Sequence, residues 1–203
     1  MRIDFFFDPG CPWTWISSRW LLDVASRRTD LDLRWRTFSL RMAALDEEDD
    51  GDPGDTASHR ALRVVEAVWA EHGWDPIGPL YTALGTLVHH NGDPELTRLP
   101  AALEHVGLDP EFSADADALR WDAEIRGSMA DATAIVGDEV GLPVITIEDG
   151  DARPGLFGPV LSPAPVGAEA DALFDAFLTA ARSPGFFELK RTRDRSPSLG
   201  PRP

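Results

Sequence analysis

The chain has 203 residues, enough for one domain or for one domain with an insertion, so a miniprotein stabilised mainly by disulfides or metals is excluded. Acidic residues number 35 against 19 basic ones, and the net charge of −16 disfavours binding to nucleic acids or to anionic membrane surfaces. No apolar run approaches the roughly 18 residues of a membrane helix, and one cysteine cannot form an internal disulfide, so we expect a soluble protein of the reducing cytoplasm.

The first 38 residues have the pattern of a strand, a helix and a second strand. Residues 3–7 are almost continuously apolar and end at Asp8, Pro9 and Gly10, which predicts a buried strand followed by a turn. Apolar residues then recur at three- and four-residue spacing, and residues 31–36 alternate between apolar and polar. The pattern predicts a parallel crossover unit, in which a helix joins two strands of one sheet.

Residues 46–55 are acidic and rich in residues that break regular structure, without an apolar face. We interpret this segment as a solvated loop. A calcium loop that begins at Asp46 is the alternative, but its twelfth position is Ala57, where such a loop requires a bidentate glutamate.

Helical patterns follow without an intervening strand. Four helices are predicted, over about residues 57–72, 76–91, 95–106 and 116–136. Thr56 is a candidate N-cap of the first helix, and Pro76 suits the first turn of the second. Gly73 and Gly92 mark where these two helices stop. The chain therefore contains a helical block of about 80 residues.

The strand pattern returns in the last third of the chain. Residues 143–147 predict a strand, residues 148–151 a turn, and residues 156–161 a partner strand, so a hairpin is expected. A last helix is predicted over residues 168–181. The end of the chain is rich in proline and serine and is expected to fray.

Cys11 stands where a strand and a turn lead into a helix that Pro12 opens. The unpaired N–H groups and the dipole at a helix N-terminus favour a thiolate over a thiol. A thiol with a pKa near 8.5 is only about 3% ionised at pH 7, so a lowered pKa would turn Cys11 into a nucleophile. The alternative is a buried structural cysteine. The strand, turn and helix around Cys11 favour the reactive cysteine.

Five segments of the sequence together resemble the thioredoxin superfamily, in the branch of the oxidoreductase DsbA. They are residues 8–15, 80–83, 140–144, 157–162 and 186–193. Three of them, 80–83, 157–162 and 186–193, are similar to the actinobacterial mycothiol-dependent nitroreductases of this branch. The resemblance implies an α/β, thioredoxin-like fold with an inserted all-helical domain.

The resemblance also implies domain boundaries. Residues 1–55 and 137–193 would form the thioredoxin-like domain, and residues 56–136 the helical insertion. Residues 194–203 would be a flexible tail.

The resemblance carries functional roles onto individual residues. Cys11 matches the nucleophile, Pro143 matches the cis-proline beside the active site, and Leu142 matches the residue whose main chain pairs with a thiol substrate. Pro12, Trp13, Leu142 and Pro143 are therefore expected to bind a low-molecular-weight thiol. Ordinary packing is the alternative role of Trp13.

His89 falls where the nitroreductase relatives also have histidine, so the resemblance implies that it reaches the substrate. A local hydrogen bond at a helix end is the alternative. His89 and His90 are about 100° apart around a helix axis and are poorly placed to share a metal ion. No metal cofactor is expected.

Thr14 is the main departure from the DsbA branch, which has a second cysteine at this position. Without that cysteine, a mixed disulfide on Cys11 cannot be resolved internally. We expect a monothiol oxidoreductase in which Cys11 and a low-molecular-weight thiol together reduce disulfides or small electrophiles. The resemblance implies that this thiol is mycothiol and that nitro compounds can be substrates. Thr14 is expected to donate a hydrogen bond to the thiolate.

Two alternatives to this function stay open. Kappa-class glutathione transferases and 2-hydroxychromene-2-carboxylate isomerases share the inserted helical domain but activate a bound thiol with a hydroxyl, usually that of serine. A non-catalytic binding module with an ordinary thiol is the other. The sequence indicates no particular oligomeric state.

Overall fold

The computed structural model describes residues 1–45, 52–148 and 150–203. Its strands are β1 (Arg2–Phe7), β2 (Asp32–Thr37), β3 (Val144–Glu148) and β4 (Gly155–Phe157). Its α-helices are α1 (Pro12–Ala25), α2 (Leu40–Ala44), α3 (Ala57–His72), α4 (Ile77–His90), α5 (Leu99–His105), α6 (Asp122–Val136) and α7 (Ala168–Ala181). Residues 46–51, on which the solvated loop and the calcium alternative depend, lie outside the described residues, as does the turn residue Asp149.

The four strands form one mixed sheet in the order β2, β1, β3, β4. Strands β1 and β2 are parallel and joined by α1, so the predicted crossover unit is confirmed. Strand β3 is antiparallel to β1 and to β4, which confirms the predicted hairpin. Helices α3 to α6 lie between β2 and β3 in the sequence.

Alternate residues of β1 point to two different apolar clusters. Phe5 and Phe7 belong to the main core, which also contains buried side chains of α1, α3, α4, α5 and α7. Phe6 faces the opposite side of the sheet and packs in a small cluster with Cys11. The alternation follows from the two-residue period of a strand, and it places the cysteine on the less heavily covered face.

The bounds of α3 and α7 agree with the sequence pattern, but the predicted helix over residues 95–106 is too long, since α5 begins only at Leu99. The Asp93 carboxylate accepts hydrogen bonds from the main-chain N–H groups of Thr97 and Arg98, at 2.9 and 3.1 Å. Pro100 in the first turn has no N–H to continue a helix backward.

Two other predicted elements also differ from the structure. The helix expected from residue 116 begins at Asp122, because the chain before it forms two 3-10 turns, Pro110–Asp117 and Leu119–Trp121, with the extended backbone of Ala118 between them. Strand β4 ends at Phe157 and does not continue to residue 161. Gly158 has a φ of +98°, and Pro159 after it has no N–H to donate to a neighbouring strand.

Candidate active site

Cys11 caps the N-terminus of α1. Its main chain is extended, with φ of −85° and ψ of 112°, and Pro12 is the first helical residue. The Cys11 N–H donates to the Asp8 carbonyl at 3.0 Å, and the Cys11 carbonyl accepts from the Trp15 N–H at 3.1 Å. The side chain of Cys11 therefore projects from the point where the helix has unpaired N–H groups.

Asp8 fixes the loop that leads to the cysteine. Its carboxylate is almost completely buried and accepts hydrogen bonds from the N–H of Gly10 at 2.8 Å and the N–H of Leu40 at 2.9 Å. Leu40 begins α2, just after β2, so one side chain links the loops that follow β1 and β2. In the sequence, Asp8 is recognisable only as a residue that ends the strand, so this role was not predicted.

The sulfur of Cys11 is enclosed by apolar side chains from distant parts of the chain. The residue is 6% exposed and shares its cluster with five other buried residues. These are Phe6, Phe38, Ala132, Leu142 and Val144. The structure therefore brings Cys11 and Leu142 together, although 130 residues separate them in the sequence.

Leu142 and Pro143 form the edge of this cluster. The peptide bond between them is cis. The Pro143 carbonyl accepts a hydrogen bond from the Gly158 N–H at 2.8 Å. Within the described ranges, the N–H and carbonyl of Leu142 have no hydrogen-bond partner.

The expectation of an acidic thiol is wrong for this structure. Burial raises the pKa of the Cys11 thiol, and the negative charge of Asp8 raises it further. The side chain and main chain of Thr14 and the main chain of Trp13 lower this pKa, as the helix terminus predicts, but burial outweighs them. The apolar residues that cause the effect come from distant strands and helices.

Thr14 is completely buried and lies close enough to the sulfur to lower the pKa of Cys11. Its hydroxyl oxygen does not reach hydrogen-bond geometry with any of the described residues. Its polar interaction with the described residues is therefore the one with the Cys11 sulfur.

Trp13 and Pro12 lie at the surface beside the cysteine, each partly exposed. The guanidinium of Arg193 lies 5.0 Å from the centre of the Trp13 ring. Beyond Arg193, the main chain of residues 196 and 198 is hydrogen bonded to the Ser162 hydroxyl. The flexibility of residues 194–203 stays a prediction.

His89 is not in the Cys11 cluster. Its ring lies 5.5 Å from the ring of Trp15, the residue one helical turn after Cys11. Burial lowers the pKa of His89 to about 4, although an interaction with the Pro9 carbonyl opposes this effect. His89 therefore supports the loop that precedes the cysteine, and its contact with substrate stays a prediction.

A buried polar network joins the helical block to the same region. His59 lies 2.8 Å from the Ser39 hydroxyl and 3.0 Å from Asp122, whose carboxylate also accepts two hydrogen bonds from Arg63. Burial lowers the pKa of His59, so its ring is neutral at pH 7. The sequence pattern does not reveal this network, since its hydrogen-bonded pairs are 20 to 63 residues apart.

Within residues 1–45, 52–148 and 150–203, no group of three or more His, Cys, Asp or Glu side chains could hold a metal ion. None of the helices in these ranges is both long enough and apolar enough to cross a membrane. A cavity of about 920 Å³ lies between β2, α4 and α5, with Trp35, Pro79 and Ala102 in its wall, and does not reach Cys11.

The sheet order, the cysteine at the start of α1 and the cis-proline before β3 define a thioredoxin-like fold with a helical insertion. Solved structures agree with this class. The cytosolic disulfide reductase DsbM of Pseudomonas aeruginosa has 18% identity and a TM-score of 0.60, covering 88% of this chain and 99% of that protein. A 2-hydroxychromene-2-carboxylate isomerase has 17% identity and a TM-score of 0.57, covering 90% of this chain and 95% of that protein.

The family model of the Rv2466c-like mycothiol-dependent nitroreductases matches residues 10–191, and the chain belongs to this family. A relative described as uncharacterized protein Rv2286c of Mycobacterium tuberculosis is 27% identical over 211 residues, which cover 94% of this chain and 82% of that protein. Family and fold together place the chain among the thiol-dependent oxidoreductases.

Proposed function

We propose that the chain is a cytoplasmic monothiol oxidoreductase, in which Cys11 is the nucleophile and mycothiol is the reducing co-substrate. The observation that carries the proposal is that Cys11 and Leu142 share one apolar cluster, and that the Leu142 main chain has no hydrogen-bond partner among the described residues. A disulfide or an extended thiol compound that pairs with that main chain would have its sulfur beside Cys11. Membership of a mycothiol-dependent family supports the choice of thiol.

The raised pKa of Cys11 slows this chemistry without preventing it. When a higher pKa reduces the fraction of thiolate tenfold, each remaining thiolate reacts about threefold faster. A more basic thiolate is a better nucleophile, with a Brønsted coefficient of about 0.4–0.5. The net loss is thus only about threefold for each tenfold loss of thiolate. Thr14, through its interaction with the sulfur, lowers the pKa of Cys11 and so opposes this loss.

With a disulfide as substrate, the Cys11 thiolate attacks one sulfur, and the other sulfur leaves as a thiolate that takes up a proton. A low-molecular-weight thiol then exchanges onto the mixed disulfide, which releases Cys11 and leaves the thiol in a new disulfide.

With a nitro compound as substrate, the Cys11 thiol and one thiol molecule together supply two electrons and two protons. The products are the nitroso compound, water and a mixed disulfide on Cys11. Exchange with a second thiol molecule restores the Cys11 thiol.

The test is incubation of the folded protein with mycothiol disulfide, followed by measurement of the intact mass. We expect one mycothiol adduct on the wild type, removed by further mycothiol, and none on Cys11→Ser. An adduct that forms only after unfolding would contradict the proposal.

The raised pKa of Cys11 and the buried hydroxyl of Thr14 also favour a second candidate, a transferase or isomerase that activates a bound thiol with a hydroxyl. Cys11→Ser distinguishes the two, because thiol–disulfide exchange would be lost whereas hydroxyl-dependent turnover would survive. If neither activity is measurable and no small thiol raises the melting temperature, the chain is a non-catalytic module.

A further inference from the structure

Polar side chains without partners surround Trp15, between α1 and α4. The rings of His89 and His90 lie 5.5 and 5.6 Å from the Trp15 ring, and the ring of Tyr81 lies 6.2 Å from it. Trp15 and Tyr81 are completely buried. Trp15 Nε1, the Tyr81 hydroxyl and Nε2 of both histidines are buried without a hydrogen-bond partner among the described residues. An unsatisfied buried polar group costs about 1–3 kcal/mol, so four together indicate a missing ligand.

Arg19 adds a positive charge that has no carboxylate partner among the residues that the structure describes. Its guanidinium lies 4.0 Å from the centre of the Trp15 ring and donates to the hydroxyls of Thr82 and Ser18, all at 3.2 Å. The other buried or partly buried arginines of the described ranges each have a carboxylate within 4 Å. They are Arg2, Arg28, Arg34, Arg36, Arg41 and Arg63.

The electrostatic surroundings of this cluster are basic. Burial lowers the pKa of His90, and the positive charges of Arg202 and Arg19 lower it further. Among the described residues, no carboxylate is a cause of the pKa shifts of Arg19, His89 or His90. The negative charge of Asp8 acts on Tyr81, but it is not a cause of the pKa shifts of Arg19, His89 or His90.

We infer that the cluster around Trp15 and Arg19 is a binding site for the carboxylate group of a small organic acid. Indole N–H and tyrosine O–H groups can donate, and the neutral ring of His90 can present a donor through its choice of tautomer, whereas the N–H of His89 is used by the Pro9 carbonyl. A carboxylate is an acceptor only and supplies the negative charge that Arg19 lacks. Water could satisfy the hydrogen bonds but not the charge.

The position of this site relates it to the cysteine. Cys11 and Arg19 are eight residues apart on the same helix, which is about 12 Å at 1.5 Å per residue. The charges of Arg19 and Cys11 both act on the pKa of Tyr81, so its hydroxyl is within electrostatic range of both residues. The carboxylate site is therefore beside the Cys11 loop.

Acetate and acetamide test the inference, because they have nearly the same shape and differ in charge. The protein is labelled with ¹⁵N and titrated with each probe at constant ionic strength, and the Trp15 indole N–H signal is followed after its assignment with Trp15→Phe. We expect a saturable shift with acetate and at least about tenfold weaker binding of acetamide. Arg19→Gln should weaken acetate binding about tenfold, and Arg19→Lys should retain part of it.

Arg126→Gln is the matched control, because it removes the same charge from an exposed position on α6 and should leave acetate binding within about twofold. Equal shifts with both probes, or no saturation at about 100 mM acetate, would overturn the inference and identify the site as water-filled. The comparison of probes on the wild type decides this even if Arg19→Gln does not fold. No thiol is present, and a repeat on Cys11→Ser keeps the result independent of the proposed redox function.

Discussion

Replacing Thr14 with valine isolates the hydroxyl that lies against the Cys11 sulfur. The two side chains have similar shapes, and the Thr14 hydroxyl has no full hydrogen bond to any described residue. The substitution therefore removes an interaction that lowers the pKa of Cys11, while it also removes a poorly satisfied buried polar group. We expect slower alkylation of Cys11 and a free energy of unfolding that is unchanged or about 1 kcal/mol higher.

The size of the effect follows from two opposing terms. Hydrogen bonds to charged groups contribute about 1.5–3 kcal/mol, and the Thr14 hydroxyl does not reach full hydrogen-bond geometry, so the lower end of this range applies. A loss of about 1.4 kcal/mol leaves about tenfold less thiolate at a fixed pH. The more basic thiolate reacts about threefold faster, so the alkylation rate should fall about threefold.

The assay is the rate of carbamidomethylation by excess iodoacetamide at fixed pH, followed by intact mass. Thr179→Val on α7 is the control, since this threonine is exposed and should leave the rate unchanged. An unchanged or faster rate in Thr14→Val would refute the assigned role of the hydroxyl.

Three further predictions concern the same region. Thr14→Cys should allow a reversible internal disulfide with Cys11, seen as a loss of two mass units on oxidation, because it restores a two-cysteine motif at a helix start. Burial lowers the pKa of His89 to about 4, so between about pH 6.5 and pH 4 the unfolded chain binds a proton that the folded chain does not. The free energy of unfolding should therefore fall as the pH falls through this range, and His89→Asn should reduce that pH dependence. Gly85→Ala should destabilise the protein by about 1–3 kcal/mol in denaturant unfolding, because its Cβ would lie 2.3 Å from Trp15 Cε3.

Each of these predictions has a matched control. Combining Thr14→Cys with Cys11→Ser should abolish the mass loss. His105→Asn changes an exposed histidine and should leave the pH dependence of unfolding as in the wild type. Gly127→Ala, with open space around the new Cβ inside α6, should stabilise the protein by about 0.5–1 kcal/mol, so a similar loss in both glycine variants would contradict the steric argument.

Elements that depend on nearby residues could be predicted from the sequence. The Thr56 hydroxyl accepts a hydrogen bond from the His59 N–H at 3.4 Å, and α3 ends before Gly73, whose φ is +73°. The errors arose where a side chain competes with the helix ladder, as Asp93 does before α5.

The candidate site could be predicted only in part. Resemblance assigned Cys11 and Leu142 to one site, and the two residues share an apolar cluster. The acidity of the thiol, however, depends on enclosure by residues such as Phe38, Ala132 and Val144, which no local pattern reveals. The cluster at Arg19 was missed for the same reason, because the packing of α4 against Trp15 is a property of the fold. The sequence did contain one relevant pattern: the four-residue spacing of Cys11, Trp15 and Arg19 places these three residues on one face of α1.

The buried contacts of α3 make the helical block an outer support of the reactive loop. His59 contacts the hydroxyl of Ser39, and the next residue, Leu40, begins α2. The Leu40 N–H donates a hydrogen bond to Asp8, and the charge of Asp8 raises the pKa of Cys11. Substitutions within the helical block can therefore change the pKa of the Cys11 thiol without altering any residue in contact with it. Relatives with the same motif at the start of α1 can differ in reactivity for this reason, and the residues to compare between them are those of α3.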